Sequence, residues 1–380
     1  MLEWAEQEQQ RSARWRSENG STPPRRVQPA DDTMTADAAF RLASEGIGLL
    51  WRSDFQNARQ LLQALARRAD RKPRKGGRVE VAGTSPGAAF HQHRMRQGQR
   101  ARILSMLLVE IDGDYGIGLR RAPDLRQACA EAWGPADGQP SVASLRGLLG
   151  LVGAHEWRKK GVEIPALGPA PGNRIHAHYG VFSPVRGEYI DLVAQAPLSA
   201  NTLAFDIGTG TGVLAAVLAR RGVQHVVATD QDPRALACAR DNVARLGLAG
   251  RVEVVQADLF PAGQAPLVVC NPPWVPGRPS SPIEQAVYDE GSRMLRGFLA
   301  GLPAHLAPGG EGWLILSDLA EHLGLRSRAE LLEWIAAAGL HVIARSEARP
   351  RHPKATDADD PLHAARSREV TALWRLAPRG

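Results

Sequence analysis

The residues with the clearest chemical potential follow four short apolar segments in the second half of the 380-residue chain. The first is a glycine-alternating turn, Gly208-Thr209-Gly210-Thr211-Gly212, between an apolar segment and an alanine-rich one. Such a turn lets the free N–H groups at the start of a helix approach a ligand closely. The spacing is G-x-G-x-G, and Val213 stands where a dinucleotide fingerprint would place a third glycine. Alone, the turn indicates a ligand site but not which ligand.

Two aspartates follow the next two apolar segments. Asp230 ends the second segment, and its carboxylate can accept two hydrogen bonds from a ribose diol. Asp258 follows the third segment and can accept a hydrogen bond from an exocyclic amine such as that of adenine. A single aspartate at such a position is often only a helix cap or a turn residue. The order of glycine turn and aspartates nevertheless predicts a nucleoside-containing ligand.

The fourth apolar segment ends in Asn271-Pro272-Pro273-Trp274. An amide or exocyclic amine has a delocalised nitrogen lone pair, so it must be oriented firmly before it can attack a methyl group. The Asn271 side-chain oxygen and the Pro272 carbonyl can accept its two N–H hydrogens and stabilise the positive charge that develops. Pro273 stiffens the turn, and Trp274 offers a flat apolar face to a planar substrate. A rigid turn with a core tryptophan is the alternative interpretation.

The elements that must position these residues alternate along the chain from residue 203 onward. Predicted strands cover residues 203–206, 226–230, 252–255, 267–270 and 312–317, and predicted helices cover 212–221, 233–246, 292–305 and 328–338. This alternation predicts a doubly wound, parallel sheet with helices on both faces. Two successive strands at the end, 341–345 and 369–376, predict an antiparallel last strand. The carboxyl ends of the parallel strands, and the connection 350–367, are expected at one edge of the sheet.

The first half of the chain has a different pattern. Residues 1–31 mix charges without an apolar period and are predicted to form a flexible arm. Residues 32–165 are predicted to form a mainly helical substrate-recognition domain with a basic loop near residues 72–87. A linker rich in turn-forming residues, 165–173, then leads into the α/β domain, residues 173–380.

Charge and composition narrow the possible partners. The net charge is +7, and residues 52–102 alone contain thirteen basic and three acidic residues. Such a segment can attract an anionic partner such as nucleic acid. Alternatively, its arginines simply lie on solvent-exposed helix faces, and both interpretations stay open. No segment has the apolar length of a membrane span, so no membrane partner is expected.

Cysteines and histidines give little sign of a metal or of disulfides. The three cysteines are far apart and never paired in spacing, which favours a reducing, cytoplasmic location. The histidine pairs His91/His93 and His176/His178 lack a third ligand at a sensible spacing. We therefore predict no metal site.

The combination of glycine turn, aspartates and tetrad resembles the class I S-adenosylmethionine-dependent methyltransferases. It is most similar to the branch with an Asn-Pro-Pro-aromatic motif, which methylates nitrogen in planar groups. The resemblance covers about residues 178–345 and implies a Rossmann-like fold and S-adenosyl-L-methionine as cofactor. By position, it implies a catalytic tetrad at 271–274 and a cofactor site formed by Asp206, Gly208, Gly210, Gly212, Asp230, Asp258 and Leu259.

Within that branch, two segments resemble the release-factor glutamine methyltransferases. One is residues 179–189, which the resemblance places over the methionine end of the cofactor, with Phe182 in it and Glu188 at the acidic position. The other is the tetrad with Val275-Pro276, followed by Tyr288-Asp289-Glu290-Gly291. Trp274 departs from that pattern, because tyrosine is usual there.

Four functional hypotheses follow. The one favoured by a small margin is methyl transfer to a glutamine side-chain amide of a protein, for example one of the translation machinery. Its rival is transfer to an exocyclic amine of a base in rRNA, tRNA or DNA, with the basic segment 52–102 binding phosphates and Trp274 stacking on a base. A small-molecule substrate is also open. A non-catalytic binding module is disfavoured, because every expected cofactor and tetrad position is filled. The sequence predicts no oligomeric state.

Overall fold

The computed structural model describes residues 1–71, 85–351 and 357–379. These residues divide into two compact units. The N-terminal unit contains residues 1–71 and 88–156, and the C-terminal unit contains residues 85–87, 157–351 and 357–379. The division falls at residues 156/157, ahead of the predicted linker.

The N-terminal unit contains a six-stranded mixed sheet, in the order β1-β2-β6-β5-β4-β3. Its strands are β1 Leu2–Glu6, β2 Gln9–Arg16, β3 Arg26–Ala30, β4 Ile47–Trp51, β5 Leu107–Ile111 and β6 Ser141–Ser144. The helices in this part of the chain are α1 Ala36–Ser44, α2 Phe55–Ala69, α3 Pro86–Leu104, α4 Arg126–Trp133 and α5 Leu145–Lys160. Asp54 caps α2 by accepting hydrogen bonds from the N–H groups of Gln56 and Asn57.

One prediction for this unit is therefore wrong, because residues 1–31 form three strands rather than a flexible arm. The following region contains helices α1 to α5, but it also supplies strands β4, β5 and β6 to the same sheet, which the sequence did not indicate. In β1, Leu2 and Trp4 are buried while Glu3 is exposed, a short alternation that the charged residues obscured. All of β4 and most of β5 are buried, so their sequences lack the alternation of apolar and polar residues that marks a half-buried strand. From sequence alone they therefore resemble continuations of the adjacent helices. Most of the predicted basic loop, residues 72–84, lies outside the described residues.

The C-terminal unit is built on a seven-stranded sheet in the order β11-β10-β9-β12-β13-β15-β14. Its strands are β9 Leu203–Ile207, β10 His225–Asp230, β11 Val252–Gln256, β12 Ala265–Cys270, β13 Leu306–Ser317, β14 Leu340–Ala348 and β15 Thr371–Pro378, after a small pair formed by β7 Val162–Glu163 and β8 Arg174–Ile175. Its helices are α6 Glu188–Gln195, α7 Val213–Arg220, α8 Pro233–Arg245, α9 Arg293–His305, α10 Leu319–His322, α11 Arg328–Ala337 and α12 His363–Arg366. Short 3-10 turns cover Pro165–Leu167, Pro282–Ala286 and Glu290–Ser292.

This architecture confirms the predicted mostly parallel, doubly wound sheet. Strands β9 to β13 are parallel, and β15 is antiparallel to both β13 and β14. The central strand β12 is buried from Leu267 to Cys270, and α7 is buried at every residue except Arg220. Continuous burial of this kind is typical of parallel strands covered on both faces.

The sheet register fixes where the last connection emerges. Thr371, at the start of β15, lies opposite Ser317, at the end of β13. The connection from β14 to β15 therefore leaves from the edge that carries the carboxyl ends of the parallel strands, as predicted. Residues 352–356 within it, including His352 and Lys354, are outside the described part. Of the helices described, none combines the length and apolar character needed to cross a membrane.

Candidate active site

The glycine turn leaves β9 with three glycines in the left-handed region. Their φ angles are +71° at Gly208, +56° at Gly210 and +79° at Gly212, values that residues with a Cβ rarely adopt. A Cβ on Gly212 would lie 3.3 Å from Ala239, so this glycine lets α7 and α8 pack closely. A Cβ on Gly210 would meet no atom within 4 Å, so this glycine borders open space that a ligand can use.

Asp206 lies beneath the turn and is almost fully buried. Its Oδ2 accepts a hydrogen bond from the Thr209 hydroxyl at 2.6 Å and another from the Ala215 N–H at 3.1 Å. Burial raises the pKa of Asp206 to about 6, although the two hydrogen bonds oppose that shift. Asp206 thus ties the turn to the first turn of α7.

Asp230 meets the turn from the end of β10. Its Oδ2 accepts the Gly210 N–H at 3.0 Å, and its Oδ1 accepts the Asp232 N–H at 3.0 Å. Burial raises the pKa of this carboxyl above its ordinary value. The structure therefore brings the predicted ribose acceptor and the glycine turn together.

Asp258 and Leu259 follow β11. The Asp258 residue is exposed, whereas Leu259 has a left-handed φ of +68° and its carbonyl accepts a hydrogen bond from the Thr229 hydroxyl at 2.5 Å. That bond anchors the segment beside the end of β10. Within the described chain, no hydrogen bond or ring contact joins Asp258, or the half-buried Phe182, to another predicted site residue.

Asn271 follows β12, which is the neighbour of β9 in the sheet. The Trp274 indole Nε1–H donates a hydrogen bond to Asn271 Oδ1 at 2.8 Å. An indole N–H can only donate, so the Asn271 atom that it contacts must be the oxygen. A carbonyl oxygen has two lone pairs, so one acceptor position on Asn271 remains for another donor.

Trp274 is half-buried and held on several sides. The Arg186 guanidinium carbon lies 4.6 Å from its ring centroid, and the Tyr189 ring packs edge to face at 6.4 Å. A second guanidinium, that of Arg326, lies 3.5 Å from the Trp274 carbonyl oxygen. Arg186 thus covers one face of Trp274 and leaves at most the other face for a planar substrate.

Arg186 is itself held by two buried carboxylates. Its Nε donates to Glu188 Oε1 at 2.7 Å, and its Nη2 donates to Glu369 Oε1 at 3.0 Å. The Ser317 hydroxyl also donates to Glu369 Oε1, at 2.7 Å. Of Arg186, Glu188 and Glu369, only Glu188 is a site residue predicted from the sequence. Arg186 lies inside the 179–189 segment that carried the resemblance, whereas no motif marks Glu369.

The histidines make ordinary contacts. His176 Nδ1 lies 2.7 Å from the Arg158 carbonyl, and His178 Nε2 lies 3.2 Å from Asp241 Oδ2. Across the described ranges, no three or more His, Cys, Asp or Glu side chains are grouped so that they could hold a metal ion.

Comparison with known proteins agrees with this arrangement. Residues 172–330 match the family model of the methyltransferase small domain. A release factor glutamine methyltransferase from Cereibacter sphaeroides is 31% identical over 194 residues, which cover 47% of this chain and 68% of that protein. The chain belongs to the class I S-adenosylmethionine-dependent methyltransferases.

Other relatives of this methyltransferase carry different names. A tRNA1(Val) (adenine(37)-N6)-methyltransferase from a Shewanella species is 28% identical over 164 residues, covering 40% of this chain and 68% of that protein. A ribosomal protein L11 methyltransferase from Pelotomaculum thermopropionicum is 51% identical over 69 residues, which cover 18% of this chain and 22% of that protein. A solved S-adenosylmethionine-dependent methyltransferase from Thiobacillus denitrificans, bound to S-adenosyl-L-homocysteine, has a TM-score of 0.36 and 16% identity over 52% of this chain and 92% of that one.

The protein is an S-adenosylmethionine-dependent N-methyltransferase, and its residues fit that cofactor. The side of Gly210 that a Cβ would fill is open. Beside it, Asp230 is a carboxylate that forms no ion pair with a described residue, which suits neutral hydroxyl donors such as those of ribose.

Proposed function

We propose that this methyltransferase acts on the side-chain amide nitrogen of a glutamine in a protein substrate. The observation that carries the proposal is the guanidinium of Arg186 over one face of Trp274. A nucleobase stacks on an open aromatic face, and Arg186 leaves at most one face of Trp274 for such stacking. An amide is small and needs chiefly two acceptors for its N–H hydrogens. The relative that is 31% identical and bears the glutamine methyltransferase name supports the same substrate.

The roles of the cofactor residues follow from their positions. S-adenosylmethionine supplies a methyl group carried on a positively charged sulfur. The glycine turn and the Asp206 beneath it shape its site, Asp230 accepts the ribose hydroxyls, and Asp258 with Leu259 receives the adenine. By resemblance, Phe182 and Glu188 cover the methionine end.

The tetrad orients the substrate amide. The free lone pair of Asn271 Oδ1 and the Pro272 carbonyl each accept one N–H hydrogen, which aims the nitrogen lone pair. These oxygens also stabilise the positive charge that develops on that nitrogen more strongly than they stabilise the neutral amide. Pro273 stiffens the turn, and Trp274 fixes the Asn271 oxygen through their hydrogen bond. The N–C bond would form as the S–C bond breaks, so that neutral S-adenosylhomocysteine would be the leaving group and the surplus N–H proton would pass to water.

The second candidate is the exocyclic amine of a base in RNA. Helix α3 supports it, because it carries Arg94, Arg96, Arg100 and Arg102, two histidines and no acidic residue. Arg100 already pairs with Asp70 at 2.7 Å. Basic helices of this kind bind phosphates, and the relative named as a tRNA adenine methyltransferase points the same way. We infer a cytoplasmic partner in either case, and a protein of the translation machinery for the first.

Transfer of labelled methyl groups separates the two candidates. The full chain is incubated with labelled S-adenosylmethionine and a cell extract, and half of each reaction is treated with ribonuclease. We expect the label to remain in protein and to be recovered as N5-methylglutamine by mass spectrometry after proteolysis. Label that disappears with ribonuclease treatment would contradict glutamine and favour a base. The Asn271→Ala variant, which lacks the orienting oxygen, serves as the negative control.

A further inference from the structure

A continuous chain of contacts reaches the proposed catalytic amide from a distant part of the sequence. It runs from Glu369 through Arg186 and Trp274 to Asn271, and we call these four residues the contact chain. Glu369 and Arg186 are 183 positions apart, so only the folded protein brings them together.

The first half of the contact chain fixes the guanidinium. Glu188 is 3% exposed, Glu369 is 2% exposed, and the Arg186 side chain between them is 15% exposed. Charge-assisted hydrogen bonds in such a site are short and directional. Glu369 Oε2 is buried and has no hydrogen-bond partner among the described residues. A buried acceptor without a partner costs stability, so the hydrogen bonds that Oε1 accepts from Arg186 and Ser317 must offset that cost.

The second half fixes the amide. The guanidinium of Arg186 lies 4.6 Å from the Trp274 ring centroid, where cation–π attraction resists rotation of the indole. The indole N–H in turn holds Asn271 Oδ1 at 2.8 Å. If the amide rotated by half a turn, its NH2 group would face the indole N–H, donor against donor. The bond therefore keeps the Asn271 oxygen in the orientation in which its second lone pair is available.

We propose that Arg186, held by Glu369 and Glu188, is a positioning residue that sets the orientation of Asn271 through Trp274. The inference rests on the proposed function, because it takes the Asn271 oxygen to be the acceptor of the substrate N–H. Arg186 has no contact with the reacting nitrogen in this scheme. Its loss leaves the acceptor present but poorly oriented, so kcat falls.

The first test needs no substrate. In the full chain with 15N-labelled tryptophan, the Trp274 indole N–H signal is assigned by its loss in Trp274→Phe. Arg186→Met should shift this signal and speed its exchange with water about tenfold or more. Arg345→Met is the matched control, since Arg345 lies over Trp374 at 4.5 Å and should leave the Trp274 signal unchanged. An unchanged Trp274 signal in Arg186→Met would overturn the proposal.

The second test is a double-mutant cycle on turnover with the substrate identified by labelling. Arg186→Met alone should lower kcat by on the order of 10²-fold, because a misplaced positioning group has an effect of that size. In the Trp274→Phe background, which already lacks the indole N–H, the same change should have little further effect. Equal losses in the two backgrounds, within about twofold, would overturn the proposal. Arg186→Lys, which keeps the cation, should recover part of the lost turnover.

The outcomes separate this inference from the function on which it rests. Full turnover in Asn271→Ala would contradict the proposed role of Asn271 and the contact chain with it. Lost turnover in Asn271→Ala with full turnover in Arg186→Met would overturn only the role of Arg186. Unchanged indole N–H signals of Trp313 and Trp374, which lie in β13 and β15 of the same sheet, guard against general damage to the fold in Arg186→Met.

Discussion

Each unit buries an aspartate, and the two carboxylates have opposite surroundings. In the N-terminal unit, Asp54 is 1% exposed and accepts hydrogen bonds from Arg121 at 2.6 and 2.8 Å, which hold its pKa well below the usual range. In the C-terminal unit, Asp206 is also 1% exposed, but no described cation pairs with it, and burial raises its pKa. The first unit thus uses a charge pair to hold its fold, whereas the second keeps an uncompensated carboxylate under the predicted ligand turn. Perturbed groups of that second kind concentrate at functional sites.

The largest expected effect comes from removing the proposed acceptor. Asn271→Ala should lower methyl transfer by about 10²-fold or more, because an orienting and charge-stabilising oxygen is lost. Affinity for S-adenosylmethionine, measured by calorimetry, should stay the same. The comparison variant in the N-terminal unit is Asn57→Ala, which removes only a hydrogen bond to Asp32. An equal loss of turnover in both variants would contradict the assignment of the catalytic residues to the C-terminal unit.

An intermediate effect is expected from two glycines in equivalent surroundings. Gly210 and Gly46 both have left-handed φ angles, +56° and +81°, and a Cβ on either would meet no atom within 4 Å. Changing either to alanine should cost about 1 kcal/mol of unfolding free energy, because of the backbone conformation alone. Only Gly210→Ala should weaken binding of S-adenosylhomocysteine, by about tenfold or more in calorimetry. Unchanged binding in Gly210→Ala would remove the glycine turn from the cofactor site.

The smallest effect is a difference in how stability depends on pH. The native state holds the Asp206 proton more tightly than the unfolded state, so the free energy of unfolding should fall as pH rises from 3.8 to about 6. Asp54 has the opposite sign, because its lowered pKa stabilises the protein above the ordinary aspartate value and that contribution disappears as pH falls below it.

Denaturant titrations of the parent, Asp206→Asn and Asp54→Asn from about pH 2 to about pH 7 measure the two contributions as differences. Asparagine keeps an acceptor oxygen at each position, so the fold should be preserved. For each variant, the free energy of unfolding is subtracted from that of the parent at every pH. If this difference changed with pH in the same direction for both variants, the contrast between the two aspartates would be contradicted.

The sequence predicted the C-terminal unit much better than the N-terminal unit, for physical reasons. Strand β12 and helix α7 are signalled by local runs of apolar residues, and the glycine turn by residues next to one another. Strands β4 and β5 are also apolar runs, but each directly follows a helix, and a short buried strand cannot be told from a buried helical turn by periodicity. The error therefore lies in the type of secondary structure assigned to these segments, not in recognising that their residues are buried.

The candidate site shows the same limit at the level of side chains. The residues of the turn, Asp230 and the tetrad could be named, because each follows a predicted parallel strand and the ends of such strands share one edge. Arg186 and Glu369 could not be named, because their partnership joins distant segments and appears only in the folded chain. The covered face of Trp274 was missed for the same reason.

The hydrogen bonds around the glycine turn have a consequence for the thermodynamics of binding. Asp230 holds the Gly210 N–H, the Thr229 carbonyl holds the Thr209 N–H, and Asp206 holds the Thr209 hydroxyl. Fixing the backbone of a residue costs about 1–2 kcal/mol of conformational entropy, and here folding meets that cost before any ligand arrives. S-adenosylmethionine therefore encounters a preorganised turn, and its contacts there contribute to affinity with little loss to ordering of the protein.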